Sequence, residues 1–498
     1  MFIHDGVPVK ENLSEEIRQR LVTDTINRRD KKTGRVNVYR RVSYYDPQKR
    51  YNVVVGSKKI GERDPDTNLV TDILRRQSPQ SKAVIDAVQE LASRIDTQVT
   101  ESHQLAKVIY ELPVVLDVLL LAAMGAHTGA KPAAVYWKTN QEALKERWGR
   151  EWPKTCPSSA TMHRLLQIIN PEELQKLYQE FVFPLLPIPN QKGVDKSTVH
   201  VDGQAVRASR TTEGRQHQML SFYSTEAGIA FCQVRIEDKS NEKPAALKLA
   251  QRLDLVGTIV TGDALHCDRK LLETLMRESR ADYCMALKMN QSKTAEAVIE
   301  LFEKHPEAVS GTSKNKGHGR KEVRTTYILP GSLLPEDIQK KWFGIHYGCV
   351  VKQVSERTVI GTNGKADETS VQTRYFLTSL SPESSHVLRD IQRAIRDHWS
   401  IENKLHHVLD VDFGQDATQA KNNNFIFNVT QLNKFSLAII KTIRRRGVKE
   451  GKMKSSTSIK EIIQTLQNNP KLAGQYLDVF IRESNACAAS RPEEPLTK

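Results

Sequence analysis

The stretch TVHVDGQAVR, residues Thr198 to Arg207, decides the fold of this chain of 498 residues. Apolar and polar residues alternate along it, which predicts a half-buried strand with Val199 and Val201 on one face. Asp202 then points to the other face, although aspartate is depleted in strands. It is either a strand-end residue that bonds its own turn or a functional carboxylate. The sequence downstream favours the functional alternative.

Strand and helix patterns follow this stretch in an informative order. Strands at 198–203, 219–225 and 229–236 are spaced as an antiparallel meander. After them come, in turn, the helix 243–253, the strand 257–263, the helix 268–279, the strand 282–288 and the helix 293–305. This order predicts an α/β protein with a mixed sheet flanked by helices, the element order of the ribonuclease H-like fold. Residues 306–380 are strand-like between Gly and Asn turns, and they predict a β-rich insertion.

Two further acids are placed to join Asp202. Asp263 ends the fourth predicted strand, where open α/β sheets place their sites, and it meets Asp202 if the two strands are neighbours. Asp263 could instead cap the next helix, although Asp268 stands nearer to the start of that helix. The third acid, Glu402, lies in an apolar helical stripe, where a carboxylate is costly unless it is paired or binds metal. The alternative is a partly exposed Glu402 bonded to a neighbouring His or Lys. The stripe consists of Leu388, Ile391, Ile395, His398, Glu402, Leu405 and Leu409.

Three converging carboxylates suit hard divalent cations that bind through oxygen, Mg²⁺ first and Mn²⁺ as a substitute. Two such ions roughly 3.5–4 Å apart activate a nucleophile and stabilise the leaving oxygen of an in-line phosphoryl displacement. The nucleophile is water in strand cleavage and a 3′-hydroxyl in strand transfer. No Ser/His or Cys/His arrangement competes, and the absence of Walker-A and GxGxxG patterns leaves an NTPase or a dehydrogenase without support.

Charge and cysteine usage indicate the class of partner and the cellular compartment. With 74 Lys and Arg against 59 Asp and Glu, the net charge is +15, which favours nucleic acid over membrane as a partner. The alternative is a merely soluble basic protein. The six cysteines are scattered singly, which indicates reduced thiols and argues against a zinc finger or disulfide scaffold. Because no signal peptide opens the chain and the apolar run 112–124 contains Asp117, we expect a cytoplasmic, nucleoid-associated protein.

Composition divides the chain into segments. Residues 1–75 predict a basic module, a candidate for binding DNA ends, with a charged helix at 15–26 and a strand, turn and strand around Asp46-Pro47. Residues 76–190 are helical: a plain bundle, or a helix-turn-helix with Thr161, His163 and Arg164 as candidate contacts. The Pro-rich linker 184–193 leads to a catalytic domain formed by 194–305 and 381–446, with the insertion 306–380 between them. Residues 447–498 form a basic, helical tail.

Five blocks of the sequence, in order, resemble the H-repeat-type DDE transposases of bacterial insertion sequences. These blocks are VHVDGQAVRAS, IVTGDALHCD, YCMALKMNQ, RYFLTSL and HWSIENKLHHVLDVDFGQD. LPVVLDVLLLAAMGAHTG and TCPSSATMHRLL resemble the N-terminal region of that family, so the likeness covers about 105–440. It implies that Asp202, Asp263 and Glu402 are the DDE triad, and that the β-rich insertion is the one found in related cut-and-paste enzymes.

The resemblance implies a DNA transposase. Such an enzyme binds the terminal inverted repeats of an insertion sequence, cleaves strands to expose 3′-hydroxyls and joins them to target DNA. Synapsis of two transposon ends implies a homodimer on double-stranded DNA. The alternatives are a domesticated ribonuclease H-like nuclease and a DNA-binding regulator with a silent catalytic core, although the three intact acids speak against the regulator.

The sequence departs from the family pattern at several positions. Gln204 and Ala208 stand where Lys and Gly are expected, Ser400 replaces Gly in HWGIEN, and residues 418–421 (TQAK) replace an arginine-rich segment. No carboxylate is lost, so these changes bear on the DNA grip and not on metal binding.

Side chains near the predicted rim are candidate DNA contacts. They are Arg207, His266, Lys288, His398, Asn403, Arg444, Arg445 and Arg446. The charged ones are otherwise solvated strand or helix ends, and the histidines are otherwise core residues bonded to the backbone. Trp399, beside Glu402, is expected to serve packing rather than base stacking.

Overall fold

The computed structural model describes most of the chain from residue 112 onward and the strands before it. The described residues are 2–4, 7–9, 22–29, 36–46, 51–63, 110, 112–148, 153, 155–187, 196–209, 216–236, 242–317, 319–342, 344–360, 368–417, 420 and 422–490. The linker residues 188–193 lie outside them. The chain divides into two compact units, one within residues 1–75 and one within residues 76–490. No helix among the described residues is long and apolar enough to cross a membrane.

The first unit is built from strands. They are β1 (Phe2–His4), β2 (Val7–Val9), β3 (Val22–Arg29), β4 (Val36–Asp46) and β5 (Tyr51–Arg63). β1 pairs with β2, and β3, β4 and β5 form an antiparallel sheet in that order. The hairpin of β4 and β5 confirms the predicted strand, turn and strand. The predicted helix at 15–26 is wrong over residues 22–26, because these residues pair with β4, and non-local pairing overrides a local helical pattern. Residues 15–21 lie outside the described part.

The second unit contains a nine-stranded sheet within the described residues. Its strands are β6 (Ser197–Val206), β7 (His217–Ser224), β8 (Ile229–Ile236), β9 (Thr258–Gly262), β10 (Asp282–Leu287), β11 (Val309–Gly317), β12 (Arg320–Pro330), β13 (Cys349–Val359) and β14 (Glu368–Thr378). Their order is β11-β12-β13-β14-β10-β9-β6-β7-β8. β9 pairs in parallel with both β6 and β10, and the other pairs are antiparallel. The predicted mixed sheet is therefore confirmed.

The strands of the predicted insertion continue this sheet. β14 pairs with β10, with Cys284 opposite Thr378, and β13, β12 and β11 follow outward. The outermost strand, β11, lacks alternating apolar residues, because an exposed edge strand such as SGTSKNKG does not need them. Residues 306–380 thus extend the sheet of the core by four antiparallel strands.

Helices cover the sheet and form a bundle. They are α1 (Leu112–Met124), α2 (Ala130–Thr139), α3 (Gln141–Trp148), α4 (Ser159–Ile168), α5 (Pro171–Val182), α6 (Glu242–Gln251), α7 (Arg269–Arg277), α8 (Ser292–Lys304), α9 (Glu336–Lys341), α10 (Val387–Ile401), α11 (His407–Val411), α12 (Asn423–Lys449), α13 (Ile459–Leu466) and α14 (Pro470–Ser490). Asp268 caps α7, since its carboxylate accepts hydrogen bonds from the amides of Lys270 and Leu271. Asp263 is therefore not the cap of that helix.

The long helix α12 is the centre of the helical layer. It packs against α1, α4, α5, α14 and strand β8, and it is buried over most of its length. The ring of His163, a candidate contact of the predicted helix-turn-helix, stacks on Phe425 of α12 at 4.6 Å. This packing favours the bundle alternative for the face of α4 that carries His163.

Helix α10 packs its apolar face on the extended sheet. Ile391, Ala394 and Ile395 join residues of β9, β10, β12, β13 and β14 in one buried cluster. A π-helical turn, Glu402–His406, then separates α10 from α11, and the amide of His407 donates to the carbonyl of Glu402. Because a π turn adds a residue to the helical repeat, side chains beyond it change direction.

Two expectations for this helix are wrong. The side chain of Glu402 is 55% exposed, so it does not belong to the buried stripe that contains Ile391, Ile395, Leu405 and Leu409. Trp399 is 51% exposed and is not a core packing residue.

Candidate active site

The register of two parallel strands brings the first two acids to one end of the sheet. Val201 of β6 is opposite Gly262 of β9. Asp202 and Asp263 each follow one of these residues, so both stand where the parallel pairing of β6 with β9 ends, although β6 itself continues to Val206. Open α/β sheets place their sites at this edge.

The π turn brings the third acid beside the first. Nδ1 of His406 lies 3.5 Å from Oδ2 of Asp202 and 3.8 Å from Oε2 of Glu402. Single ligand atoms of these three residues all lie within 4.8 Å of one another. Asp263 is not part of this group of three, although its charge contributes to the electrostatics of Asp202.

The pKa values of Asp202 and Glu402 are shifted in opposite directions. Burial of Asp202, together with the neighbouring charge of Glu402, raises the pKa of Asp202 well above its usual range. A hydrogen bond from His406 lowers the pKa of Glu402, and a hydrogen bond with Asp202 acts in the same direction. In the metal-free chain, a proton on Asp202 therefore relieves the repulsion between the two acids.

A buried histidine holds Asp263. Nδ1 of His266 lies 3.0 Å from Oδ1 of Asp263, and Nε2 of the same ring lies 3.3 Å from Oε1 of the buried Glu242. Burial alone would raise the pKa of Asp263, but the hydrogen bond and charge of His266, with the amides of Leu265 and His266, lower it to about 2. Asp263 is thus kept ionised and fixed in orientation.

Glycine at position 203 allows Glu242 to approach the strand that carries Asp202. A Cβ at Gly203 would stand 2.7 Å from Oε1 of Glu242. A series of contacts therefore links strand β6 to the end of strand β9. Glu242 approaches Gly203, and His266 lies between Glu242 and Asp263.

A chain of polar side chains fastens helix α10 to the sheet. Thr261 Oγ1 lies 2.6 Å from Nδ1 of His200 and 2.9 Å from Nδ1 of His398. Nε2 of His200 lies 2.6 Å from Thr225 Oγ1, which lies 2.7 Å from Oγ of Ser400. The hydroxyl of Ser400, absent from the glycine of the family pattern, thus takes part in positioning the helix that leads to Glu402.

A buried lysine contacts the residue that pairs with Asp202 on the neighbouring strand. Nζ of Lys434, on α12, donates to Oγ of Ser221 and to Oε1 of Gln233, at 2.6 Å each. Ser221 is the register partner of Asp202 in β7. Burial lowers the pKa of Lys434 to about 7.

The amide that replaces the expected lysine has structural partners. Nε2 of Gln204 donates to Oδ1 of Asp410 at 2.7 Å, and Nε2 of Gln415 donates to Oε1 of Gln204 at 3.3 Å. Burial, followed by the charge of Asp416, raises the pKa of Asp410 to about 6. Gln204 therefore ties β6 to α11 and the segment after it.

The predicted DNA contacts that remain near this edge are exposed. Lys288 directly follows β10 and is exposed at the same end of the sheet as Asp263. Arg207 is exposed and lies 3.3 Å from Asp416. Asn403 is exposed, and its Nδ2 donates to the carbonyl of Trp399 at 3.0 Å.

The structure places the two predicted histidine contacts differently. His266 is fully buried between two carboxylates, so its ring is not presented to a phosphate. Burial lowers the pKa of His398 to about 4, which leaves its imidazole without a positive charge near neutral pH. These positions favour the alternative of core histidines, with side chains rather than the backbone as their partners.

The three arginines of the predicted basic cluster lie within the last turns of α12, and their guanidinium groups contact acceptors of the protein itself. Nε of Arg444 donates to the carbonyl of Thr457 at 2.6 Å, and its Nη2 donates to that of Ser455. Arg445 donates to the carbonyl of Ala227 at 3.1 Å, and Arg446 pairs with Glu450 at 2.7 Å. Local acceptors contact all three guanidinium groups, which favours the alternative of a helix end over the predicted phosphate contacts.

His406 and Glu242 are the two site residues that sequence reasoning missed. His406 stands four positions after Glu402, a spacing that places two side chains on one helical face, so a signal was present. Glu242 carried no local signal, since its contact with His266 depends on the packing of α6 against the strands.

The donor set fits a divalent metal ion. Asp202 and Glu402 offer carboxylate oxygens, the ligands that Mg²⁺ and Mn²⁺ prefer, at a distance where two negative charges repel. Burial and the charge of Glu402 raise the pKa of Asp202, and a cation bound between the two carboxylates would relieve the same repulsion. Nδ1 of His406 faces both oxygens, a position from which it orients the two carboxylates.

The chain is similar to proteins that are named as transposases. Residues 97–182 match the family described as DDE_Tnp_1-associated. Over 334 residues the chain is 27% identical to the "H repeat-associated putative transposase YhhI" of Escherichia coli K12, covering 66% of this chain and 84% of that protein. It is also 27% identical over 387 residues to YncI of Escherichia coli O157:H7, which is likewise named as a transposase, covering 74% and 92%.

Among solved structures, a piggyBac transposase synaptic complex with hairpin DNA aligns over 82% of this chain and 83% of its own. The identity is 8% and the TM-score is 0.39, below the level that indicates a shared fold. The sequence matches confirm the resemblance that the five blocks predicted.

Proposed function

We propose that this chain, which belongs to the H-repeat DDE transposase family, is a metal-dependent transposase acting on the ends of an insertion sequence. It binds terminal inverted repeats, cleaves DNA strands and joins the 3′-hydroxyls to target DNA. The observation that carries the proposal is the meeting of Asp202 and Glu402 beside His406, with Asp263 on the adjacent strand end.

The core of the proposed enzyme is ribonuclease H-like. Three antiparallel strands, β8, β7 and β6, are followed across the sheet by the parallel strands β9 and β10. Helix α10 packs over this sheet and delivers Glu402 to the strand ends. The segments 194–305 and 381–446 would form this catalytic domain, with 306–380 as its strand extension and 76–190 as the helical domain before it.

Each acid has a distinct role in the proposed mechanism. Asp202 and Glu402 would hold a divalent ion jointly, and His406 would keep the two carboxylates at a fixed separation. Asp263, kept ionised by His266, offers carboxylate oxygen for a second ion on the neighbouring strand. When bound, such ions activate the attacking hydroxyl and stabilise the leaving oxygen of the phosphodiester.

The proposed partner is double-stranded DNA. A net charge of +15 favours a polyanion, and Lys288 and Arg207 place positive charge beside the acids at the sheet edge. Pairing of two transposon ends would require two copies of the chain, hence a homodimer in the synaptic complex. Residues 1–75 are a candidate end-binding module.

The experiment is cleavage of a labelled duplex that carries the inverted repeat flanking the gene, in Mg²⁺ or Mn²⁺. Wild type should nick at the repeat boundary, and Asp263→Asn should lose nicking while it still binds the duplex. The matched control is Asp268→Asn, which makes the same change five residues away and keeps a side chain able to cap α7.

Loss of cleavage in both variants would point to misfolding rather than chemistry. Tight binding by wild type without cleavage in either metal would contradict the enzyme and support a DNA-binding regulator. Cleavage of any duplex without regard to the repeat would support a stand-alone nuclease instead.

A further inference from the structure

One lysine of helix α12 bonds two backbone carbonyls near the third acid. Nζ of Lys441 donates to the carbonyl of Lys404 at 2.7 Å and to the carbonyl of Gly228 at 3.0 Å. Lys404 is the middle residue of the π turn Glu402–His406, and Gly228 lies in the turn between β7 and β8. The amino group of Lys441 therefore ties the π turn to the sheet.

The π turn is an interruption of the regular helical repeat. The amide of His407 donates to the carbonyl of Glu402, a bond over five residues instead of four. Helices change direction where a π turn or an inserted side chain interrupts the ladder of backbone hydrogen bonds. Nζ of Lys441 is an inserted donor of this kind, because it reaches the carbonyl of Lys404 from a different helix. Its bond is a reason for the turn to keep this geometry.

Lys441 itself is held in place along its length. Its side chain passes close to the turn between β7 and β8, since a Cβ at Gly228 would stand 3.6 Å from Cδ of Lys441. Gly228 has a φ of 68°, in the left-handed region that favours glycine. Nζ also lies 5.2 Å from the ring centroid of Tyr223, within the range of a cation–π attraction. The donor group therefore has a defined position against the sheet.

The turn that Lys441 bonds carries two residues of the candidate site. Glu402 and His406 are its first and last residues, and Nδ1 of His406 lies 3.5 Å from Oδ2 of Asp202. Because the side chain of Glu402 is 55% exposed, packing around the carboxylate contributes little to its position. The path of the backbone through the turn contributes more. A shift of the carbonyl of Lys404 would therefore move both side chains relative to Asp202.

We propose that Lys441 is a positioning residue of the candidate site. By fixing the π turn on the sheet, it holds Glu402 and His406 at the separation from Asp202 that a shared divalent ion requires. Since α12 also packs against α1, α4 and α5, Lys441 connects the helical bundle to the acids. The inference rests on the proposed function, because it assigns a role in metal binding to a residue that acts through the backbone.

The first test measures the π turn itself in the chain with metal chelated. Lys441→Met keeps an unbranched side chain and removes its donors. It should speed hydrogen exchange of the amides in peptides covering 402–409 by about tenfold or more, because these amides open with the turn. The control is Arg445→Met, one helical turn later, which removes a donor to the carbonyl of Ala227 in the same β7–β8 turn. It should leave exchange at 402–409 unchanged.

The second test measures Mn²⁺ affinity of the full chain by calorimetric titration without DNA. Lys441→Met should weaken Mn²⁺ binding by about tenfold or more, as is typical for residues that orient metal ligands. Loss of positive charge near carboxylates would by itself leave cation binding unchanged or make it stronger, so weaker binding indicates lost positioning. Arg445→Met, which also loses a positive charge, should not weaken it. Lys441→Arg keeps a charged donor and should retain most of the affinity.

A merely structural lysine would give a different result. Lys441→Met would then lower stability in urea unfolding, while exchange at 402–409 and Mn²⁺ affinity would match wild type. That outcome, or equal weakening of Mn²⁺ binding by Arg445→Met, would overturn the positioning role.

Failure of this inference is distinguishable from failure of the proposed function. If wild type binds Mn²⁺ and cleaves the inverted repeat, and Lys441→Met does both equally well, the positioning role is wrong and the transposase stands. If wild type neither binds Mn²⁺ nor cleaves the repeat, the proposed function is wrong, and the role of Lys441 in metal binding is wrong with it.

Discussion

Glu402 Oε2 lies 3.8 Å from Nδ1 of His406, four residues later on the same π-helical turn. The same nitrogen lies 3.5 Å from Oδ2 of Asp202 on strand β6. One buried imidazole therefore faces an acid of the helix and an acid of the sheet. Glu402 therefore stands at the candidate site with a half-exposed side chain and not as part of a buried stripe.

His406→Gln should weaken binding of Mn²⁺ to the full chain by about tenfold or more, because residues that orient metal ligands typically carry effects of that size. Calorimetric titration with Mn²⁺ in the absence of DNA measures it. His407→Gln is the matched control, since His407 is the adjacent residue and is exposed. Equal Mn²⁺ affinity in the two variants would remove His406 from the site.

Asp202→Asn should change how stability depends on pH in the metal-free chain. The folded-state pKa of Asp202 is raised from the ordinary 3.8 to about 8. The stability it contributes is fully present below the ordinary pKa and is lost as pH rises through the folded pKa. The variant should therefore lose less stability than wild type between about pH 4 and about pH 8. Thermal unfolding with metal chelated measures this difference. Parallel curves of stability against pH for the two proteins would contradict the raised pKa of Asp202.

Lys434→Met should change the pH dependence of stability in the opposite direction to Asp202→Asn. Burial lowers the pKa of Lys434 from 10.5 to about 7, so in this range the unfolded chain binds more protons than the folded one. Stability attributable to Lys434 therefore rises with pH between about 7 and 10.5. Urea unfolding across that range should show a smaller rise in the variant. Lys441, whose pKa burial also lowers to about 7, remains in both proteins and accounts for the rise that persists.

Arg444→Gln should destabilise the chain without altering DNA affinity. Its guanidinium bonds the carbonyls of Thr457 and Ser455, and loss of charged hydrogen bonds of this kind costs about 1.5–3 kcal/mol each before relaxation. Urea unfolding measures the loss of stability. Duplex binding at increasing salt concentrations measures any contribution of Arg444 to DNA affinity. The control is Lys454→Gln, an equal loss of charge at an exposed residue nearby. If Arg444→Gln, but not Lys454→Gln, reduced the slope of log affinity against log salt, the result would support the predicted phosphate contact of Arg444.

The sequence alone predicted elements whose signals are local. Alternation marked β6, β7 and β8, and helical spacing marked α6, α7 and α8, because each depends on a period within a few residues. Asp202 and Asp263 could be placed at strand ends for the same reason. The helix expected at 15–26 shows the limit, since pairing with β4 makes residues 22–26 a strand.

The tertiary structure decided which side chains meet. A π turn begins at Glu402 and places His406 beside it, and the guanidinium of Arg374, from the strand extension, lies over the half-exposed ring of Trp399 at 5.3 Å. Glu242 reaches His266, and Arg444 and Arg445 bond carbonyls, through packing between elements. Contacts such as that of Asp202 with His406 join residues about 200 positions apart in the sequence, and no local pattern carries information about such pairs. Periodicity therefore determined the elements and two of the acids, whereas packing between distant elements determined the site.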